Sequence, residues 1–290
     1  MPRKLSPKTE ILVHLIETVT KLRALDGCPW DRAQTFQSLR QYLIEEAYET
    51  LDVLDQLDTP KKLKNKTIRK AFQEELGDLL MQILLHAEIA KEKKAFDIYD
   101  IAQELDNKLI RRHPHVFGSK KVYSEDAAFK NWEKQKAKEK DAKNSILDGL
   151  PRALPALQKA SRVIEKVTKV GFQWKDLLGP LEKVQEELEE LKEEILLSKK
   201  HGQKNKLAGE LGDLFFSLCN LSFLLKINPE DALRATLLKF ENRFRFIEKK
   251  LKTLEKTPEE STLEEMDHFW REAKINEAKL RECEENAGTL

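Results

Sequence analysis

Glycine and proline are scarce, ten of each in 290 residues, which argues against a β-rich, turn-dense chain and for helices. Cysteine is scarcer still. Cys28, Cys219 and Cys283 lie far apart and form no Cys-x-x-Cys pair, so neither a disulfide framework nor a zinc site is encoded, and a reducing compartment is expected. Net charge is almost absent, +1 from 52 basic and 51 acidic residues, so overall charge implies no polyanionic partner such as nucleic acid. A signal segment is not expected either. The apolar run Ile11-Leu12-Val13 is broken by His14 and is too short for a secretory core or a membrane span. The expectation is a soluble cytoplasmic protein with no membrane and no nucleic-acid partner.

Charged side chains make up 36% of the sequence, a well-solvated helical composition, and the length suggests about two domains, each able to bury a core. Residues 8 to 25 form an amphipathic pattern with Ile11, Leu12, Leu15, Ile16, Val19 and Leu22 on one face. It stops at Asp26-Gly27-Cys28-Pro29. A second helix carries Leu39, Leu43, Glu46, Thr50 and Val53 in one phase, which puts Glu46 on the apolar stripe. The basic, prolyl stretch Thr59 to Lys66 separates it from a helix carrying Glu75 and Asp78, and a short loop makes the two antiparallel neighbours. Further helices are expected from Ile98 to His113, ended by Pro114, and from Glu125 to Lys143.

After a linker at Asn144 to Pro151 the motifs begin again. Glu45-Glu46-x-x-Glu49 returns as Glu186-Glu187-x-x-Glu190, and Glu75-Leu-Gly-Asp78 as Glu210-Leu-Gly-Asp213. Lys108-x3-Arg112 returns as Lys239-x3-Arg243, and Trp132-x3-Lys136 as Trp270-x3-Lys274. Four elements recurring in one order read as an internal duplication, with domains at 8–143 and 150–280. Gly171-Phe-Gln-Trp174 echoes Gly27-Cys-Pro-Trp30, with both tryptophans expected in the core. The run Leu214 to Leu225 is nearly all apolar, so its helix is expected to be buried, with Glu210, Asp213, Ser217 and Asn220 as one narrow polar stripe.

Glu46 and Glu49 share a helix face, as do Glu75 and Asp78 on the next helix; Glu187, Glu190, Glu210 and Asp213 repeat the arrangement. Packing the two faces together brings four carboxylates to one place. Four such anions repel and take up protons unless they are neutralised. All-oxygen ligation without His or Cys selects a hard cation, Mg2+ with Mn2+ as a substitute. A ferritin-like di-iron bundle also sets acids inside helices, but it requires Glu-x-x-His, which neither half has. Lys239 with Arg243, and Lys108 with Arg112, give each half a cationic helix face suited to phosphate oxygens. Trp270 with Lys274, and Trp132 with Lys136, suit a base stacked on indole with an amine near the phosphates.

These motifs, with Trp30-Asp31, Gln34-Thr35-Phe36, Arg111-Arg112-His113-Pro114-His115-Val116-Phe117 and Lys239-Phe-Glu-Asn-Arg243-Phe, resemble the MazG family of tandem-domain bacterial nucleoside triphosphate pyrophosphohydrolases. The resemblance spans roughly residues 10 to 275. It implies an all-α fold of two tandem helical bundles, commonly a homodimer, and Mg2+-dependent cleavage of nucleoside triphosphates to monophosphate and pyrophosphate, a nucleotide-pool housekeeping activity. Carried over, Glu187, Glu190, Glu210 and Asp213 are the metal ligands of the C-terminal site, with Lys239, Arg243, Trp270 and Lys274 around the nucleotide. Glu46, Glu49, Glu75, Asp78, Lys108, Arg112, Trp132 and Lys136 match in the N-terminal half. Glu186 and Glu45, the first acid of each trio, are left to act as general base or to hold a further metal. Two departures stand out, a longer basic segment around Lys61 to Lys70 and a charged tail after Lys279. The rival readings are a related all-α pyrophosphohydrolase narrow for dUTP, dCTP or phosphoribosyl-ATP, and a non-catalytic helical interaction protein.

Overall fold

The computed structural model describes residues 7–57, 59–118, 121–138, 145–201 and 204–287, without the side chains of 7, 137–138, 198–201 and 280–287. Among them there is no β-strand. The chain divides into two compact units, Met1–Asp141 and Ala142–Leu290. The first holds α1 (Pro7–Arg23), α2 (Pro29–Ala33), α3 (Arg40–Gln56), α4 (Lys66–Glu92), α5 (Ile98–Arg112), α6 (Pro114–Phe117) and α7 (Glu125–Lys138). The second holds α8 (Ala156–Thr168), α9 (Leu178–His201), α10 (Lys204–Leu224), α11 (Pro229–Thr253) and α12 (Leu263–Ala287).

Each unit packs its helices in the same pattern. In the first, α4 lies against α1 and α3 and touches α5, which packs on α7; in the second, α10 lies against α8 and α9 and touches α11, which packs on α12. The internal duplication is therefore a duplication of packing. Local chemistry sets the ends. Asn65 caps α4, its Oδ1 accepting from Thr67 N at 2.9 Å, and Asp97 with Asp100 closes a capping box on α5. Asn228 caps α11, with Pro229 in the first turn. Pro114 does more than end α5, since it opens the single turn of α6. The last residues of the charged helix expected to reach Lys143, and Asn144 of the linker, lie outside the described residues.

Val19, Leu39, Leu84, Leu85 and Ile89 form the core of the first unit. Arg23, buried to 4% exposure, ties α1 to α4 by ion-pairing with Glu92 at 2.7 Å, and it also donates to the backbone oxygens of Asp31 and Gln34. Only the C-terminal part of the apolar face of α1 is used. Ile11 and Leu12 stand 67% and 57% exposed.

The helix expected to be buried, α10, is buried on its polar side instead. Ser217, Cys219 and Asn220 are buried, while Leu211, Phe215 and Leu218 are more than 40% exposed. By length and composition α10 would pass as a membrane span; the core helix of a soluble bundle has the same character. Cys28 and Cys219 are free thiols.

Candidate active site

In the C-terminal unit the antiparallel pair α9 and α10 brings Glu187, Glu210 and Asp213 together, one carboxylate oxygen from each lying within 4.8 Å of the others. Glu187 is 5% exposed. Glu190 stands one turn further along α9, and its carboxyl is pushed above the ordinary carboxylate range, first by desolvation and then by the charge of Glu187, with Glu210 adding to it. The N-terminal unit repeats the cluster between α3 and α4, where Glu46, Glu75 and Asp78 meet within the same 4.8 Å. Glu46 is pushed up by burial, by Asp78 and by Glu49, with which it shares a hydrogen bond. Burial and then Glu49 do the same to Glu75.

Each cluster fits a hard divalent cation. Oxygens on opposite sides of an ion bonded at about 2.1 Å stand about 4.2 Å apart, inside the 4.8 Å within which these atoms lie. The donors are all carboxylates, and in the N-terminal unit no described cation pairs with Glu46, Glu75 or Asp78. Thr50 Oγ1 and Gln82 Oε1, one helical turn beyond Glu46 and Asp78 respectively, are buried without a hydrogen-bond partner. Three of the four acids expected in each half thus form the cluster, and the fourth, Glu49 or Glu190, is an exposed neighbour.

The two sites differ in one respect that the motifs did not reveal. Lys183, one turn before Glu187 on α9, bridges Glu186 and Glu187 at 2.7 Å each, and these bonds raise its own proton affinity, keeping it charged. The corresponding position on α3 is Tyr42, so comparing the two copies hides the lysine. It was legible only as a cation four residues ahead of a buried acid on a helix.

Lys183, Glu187 and Asp213 line a cavity of about 230 Å³ with Trp174, Pro180, Phe216, Ser217 and Asn220. Trp174 is therefore a wall of the site, 45% exposed, and not the core residue expected. The indole lies close against Gly179. A Cβ there would lie 2.1 Å from Trp174 Cδ1, so the start of α9 admits the indole only with glycine at this position. Trp30 is likewise exposed, 55%, against the edge of Tyr42.

The cationic and aromatic motifs come together with one another. Arg243 lies over the ring of Trp270, 5.3 Å from its centroid, and Arg112 and Lys136 lie over Trp132 at 5.5 and 4.6 Å. Phe240 packs on Trp270 at 5.0 Å. The Arg243 fork is engaged, however. Its Nε and Nη2 donate to Glu277 at 3.1 and 2.7 Å, so a phosphate would have to displace that carboxylate. Lys239 and Lys274 are exposed, and Lys108 borders a surface groove with Phe96 and Glu104. None of Lys239, Arg243, Trp270 or Lys274 lines the acid cavity. Glu186 is exposed and held by Lys183, and Glu45 is exposed.

The MazG nucleotide pyrophosphohydrolase domain matches residues 34–117 and 179–246, which take in both acid-bearing helix pairs. The nucleoside triphosphate pyrophosphohydrolase/pyrophosphatase MazG of Thermotoga maritima is 44% identical over 262 residues, 90% of this chain and 94% of that protein. The nucleoside triphosphate pyrophosphohydrolase of Escherichia coli K12 is 37% identical over 272 residues, 92% of this chain and 98% of that protein. YabN of Bacillus subtilis, an uncharacterized protein, is 41% identical over 93% of this chain, which matches 54% of its length. Similar to such proteins along nearly its whole length, and carrying one acid-bearing helix pair in each matched segment, the chain belongs to the MazG nucleotide pyrophosphohydrolase family.

Proposed function

We infer that this protein hydrolyses nucleoside triphosphates to the monophosphate and pyrophosphate in the cytoplasmic nucleotide pool, with the C-terminal unit as its principal site. The observation that carries this reading is a carboxylate cluster whose buried Glu187 and whose Asp213 share a cavity with a lysine and an indole. Glu187, Glu190, Glu210 and Asp213 hold Mg2+, which when bound neutralises phosphate oxygens and lowers the pKa of a water. Lys183, paired with Glu186 and Glu187, moves onto a phosphate oxygen as substrate enters. Glu186, released by that exchange, accepts the proton of the attacking water. Arg243, on leaving Glu277, together with Lys239, Trp270 and Lys274, forms a second contact surface for the nucleotide.

In the N-terminal unit Glu46, Glu49, Glu75 and Asp78 form the parallel metal site, with Glu45 in the place of Glu186 and Lys108, Arg112, Trp132 and Lys136 as its cationic face. Tyr42 in place of Lys183 makes it the weaker catalyst. The decisive experiment supplies a nucleotide panel with Mg2+ or Mn2+ and resolves the products. Pyrophosphate and monophosphate in equal amounts are expected, and orthophosphate as primary product would overturn the reading. A single productive substrate among dUTP, dCTP or phosphoribosyl-ATP would narrow it.

The working unit we propose is a homodimer. Leu211, Phe215 and Leu218 on α10 and Leu233, Leu237 and Phe240 on α11 are each more than 40% exposed, at spacings that make one apolar stripe per helix. Lipid is a poor occupant for α10, which also carries Glu210 and Asp213; a second copy offers the matching stripe. Sedimentation should give a dimer for the wild type and a monomer for the double variant Phe215→Glu, Leu218→Lys. A wild type monomeric at all concentrations would exclude the dimer.

A further inference from the structure

The acid cavity opens beside a second, larger one of about 480 Å³, lined by Val163, Ile164, Val167, Phe172 and Trp174, with Gln173 and Asn220 as its polar side chains. The two share Trp174, Phe216 and Asn220. Size and lining, mostly apolar with a few fixed polar groups, are those of a small-molecule pocket. On the reading proposed above, a nucleotide with its phosphates at Lys183, Glu187 and Asp213 has its base in reach of this second cavity. The left-handed backbone at Gly171, φ +88°, turns the chain from α8 back across the cavity wall, which a residue with a Cβ would do only under strain.

The polar atoms there are oriented by a chain of hydrogen bonds that begins at the backbone. The Trp174 N–H donates to Gln173 Oε1 at 2.9 Å, and since a backbone N–H can only donate, the Gln173 amide has one possible orientation. Its Nε2 must then face the other way, where it donates to Asn220 Oδ1 at 2.7 Å and to Thr168 Oγ1 at 3.2 Å. The Asn220 amide is fixed in turn. With Oδ1 taken by Gln173, its Nδ2 has no partner among the described residues, and unlike the oxygens of Thr50 and Gln82 it is not sealed from solvent.

We propose that Asn220 reads the nucleobase as a hydrogen-bond donor, that Gln173 sets the face of the amide the base meets, and that the C-terminal site therefore prefers keto bases to amino bases. Guanine O6 and uracil or thymine O4 accept from Nδ2; the amino groups at the same positions of adenine and cytosine present donors to a donor. Asn220 is 9% exposed, so a base that fails to accept leaves the amide buried and unsatisfied, which discriminates more strongly than a missing apolar contact. The N-terminal unit has no such reader. Aligning Glu75-Leu-Gly-Asp78 with Glu210-Leu-Gly-Asp213 puts Leu85, 1% exposed, at the position of Asn220.

The test measures kcat/KM for pyrophosphate release from GTP, UTP, ATP and CTP with the full-length wild type, Gln173→Glu and Asn220→Ala. The wild type should favour GTP and UTP by about tenfold. The Gln173→Glu carboxylate only accepts, so it takes the Trp174 N–H on one oxygen and draws Asn220 Nδ2 to the other. Asn220 then turns its Oδ1 to the base, and the preference should reverse toward ATP and CTP. Asn220→Ala should bring the four values together. A wild type that does not prefer keto bases overturns the proposal, and this needs no variant to fold. One order in all three proteins, or a loss shared equally by all four nucleotides, overturns it as well, leaving Gln173 and Asn220 as packing polarity. Absence of pyrophosphate from every nucleotide with the wild type would instead refute the hydrolase reading on which the proposal rests.

Discussion

Glu187→Gln should lower pyrophosphate release by about 10²–10³-fold, the scale of losing one preorganised charge contact in a phosphoryl-transfer site. The substitution keeps the volume of the side chain, so the packing of α9 on α10 is preserved. What it removes is the one buried carboxylate of the C-terminal cluster, the group that faces both Asp213 and the Lys183 ammonium 2.7 Å away. Glu46→Gln, the equivalent change in the N-terminal unit, should reduce activity less than about tenfold, because among the described residues no lysine pairs with that cluster and Leu85 stands in place of Asn220. It should also raise the melting temperature without metal, since it removes a repulsion that Glu46 exerts on Glu49 and Asp78 and breaks no ion pair. Steady-state kinetics and thermal melts of both variants decide the matter. Inactivity of Glu46→Gln beside an active Glu187→Gln would reverse the assignment of the working half.

Mg2+ should stabilise the protein strongly at pH 8 and hardly at all near pH 4. Without metal, burial and neighbouring acids hold the carboxyls of Glu46, Glu75 and Glu190 above the ordinary value of 4.5. The folded state therefore binds protons that the unfolded chain has already released. Stability from these groups is fully present below about 4.5 and is lost as pH rises through their raised folded values, leaving the repulsion uncompensated above that window. A divalent cation takes the place of the protons. At 100 times its dissociation constant a ligand adds about 2.7 kcal/mol, enough to raise the melting temperature of a chain this size by several degrees. In acid the protons compete and the gain disappears. Melting curves with MgCl2, against KCl at matched ionic strength, would show the difference. An equal gain at both pH values, or with potassium, would rule out a carboxylate-held ion.

Much of this was legible in the residues. Helix phase alone put Glu46 on an apolar stripe and paired Glu75 with Asp78, because side-chain direction on a helix is fixed by spacing. The recurrence of the acid motifs identified the helix pair that repeats, and a short connection makes such a pair antiparallel. Other features escaped for definite reasons. Trp174 was expected in the core because an indole is mostly apolar, whereas the fold sets it at the wall of the acid cavity, close against a glycine five residues later. The α10 helix was expected to be buried because its apolar residues are so many; they encircle the rod, and a single unit covers only the side bearing Ser217 and Asn220. Arg243 was read as a phosphate ligand, and nothing in its spacing revealed that Glu277, 34 residues on, occupies its fork.

The sequence by itself determined the helices, the duplication and the identity of the acids, since these rest on periodicity and side-chain chemistry along one element. Tertiary structure decided which of the acids meet within 4.8 Å, that Lys183 pairs with the buried one of the C-terminal cluster, and that Gln173 occupies the oxygen of the Asn220 amide. Those are properties of groups from different helices, fixed by distance and by hydrogen-bond direction, and neither is written in the order of residues along a chain.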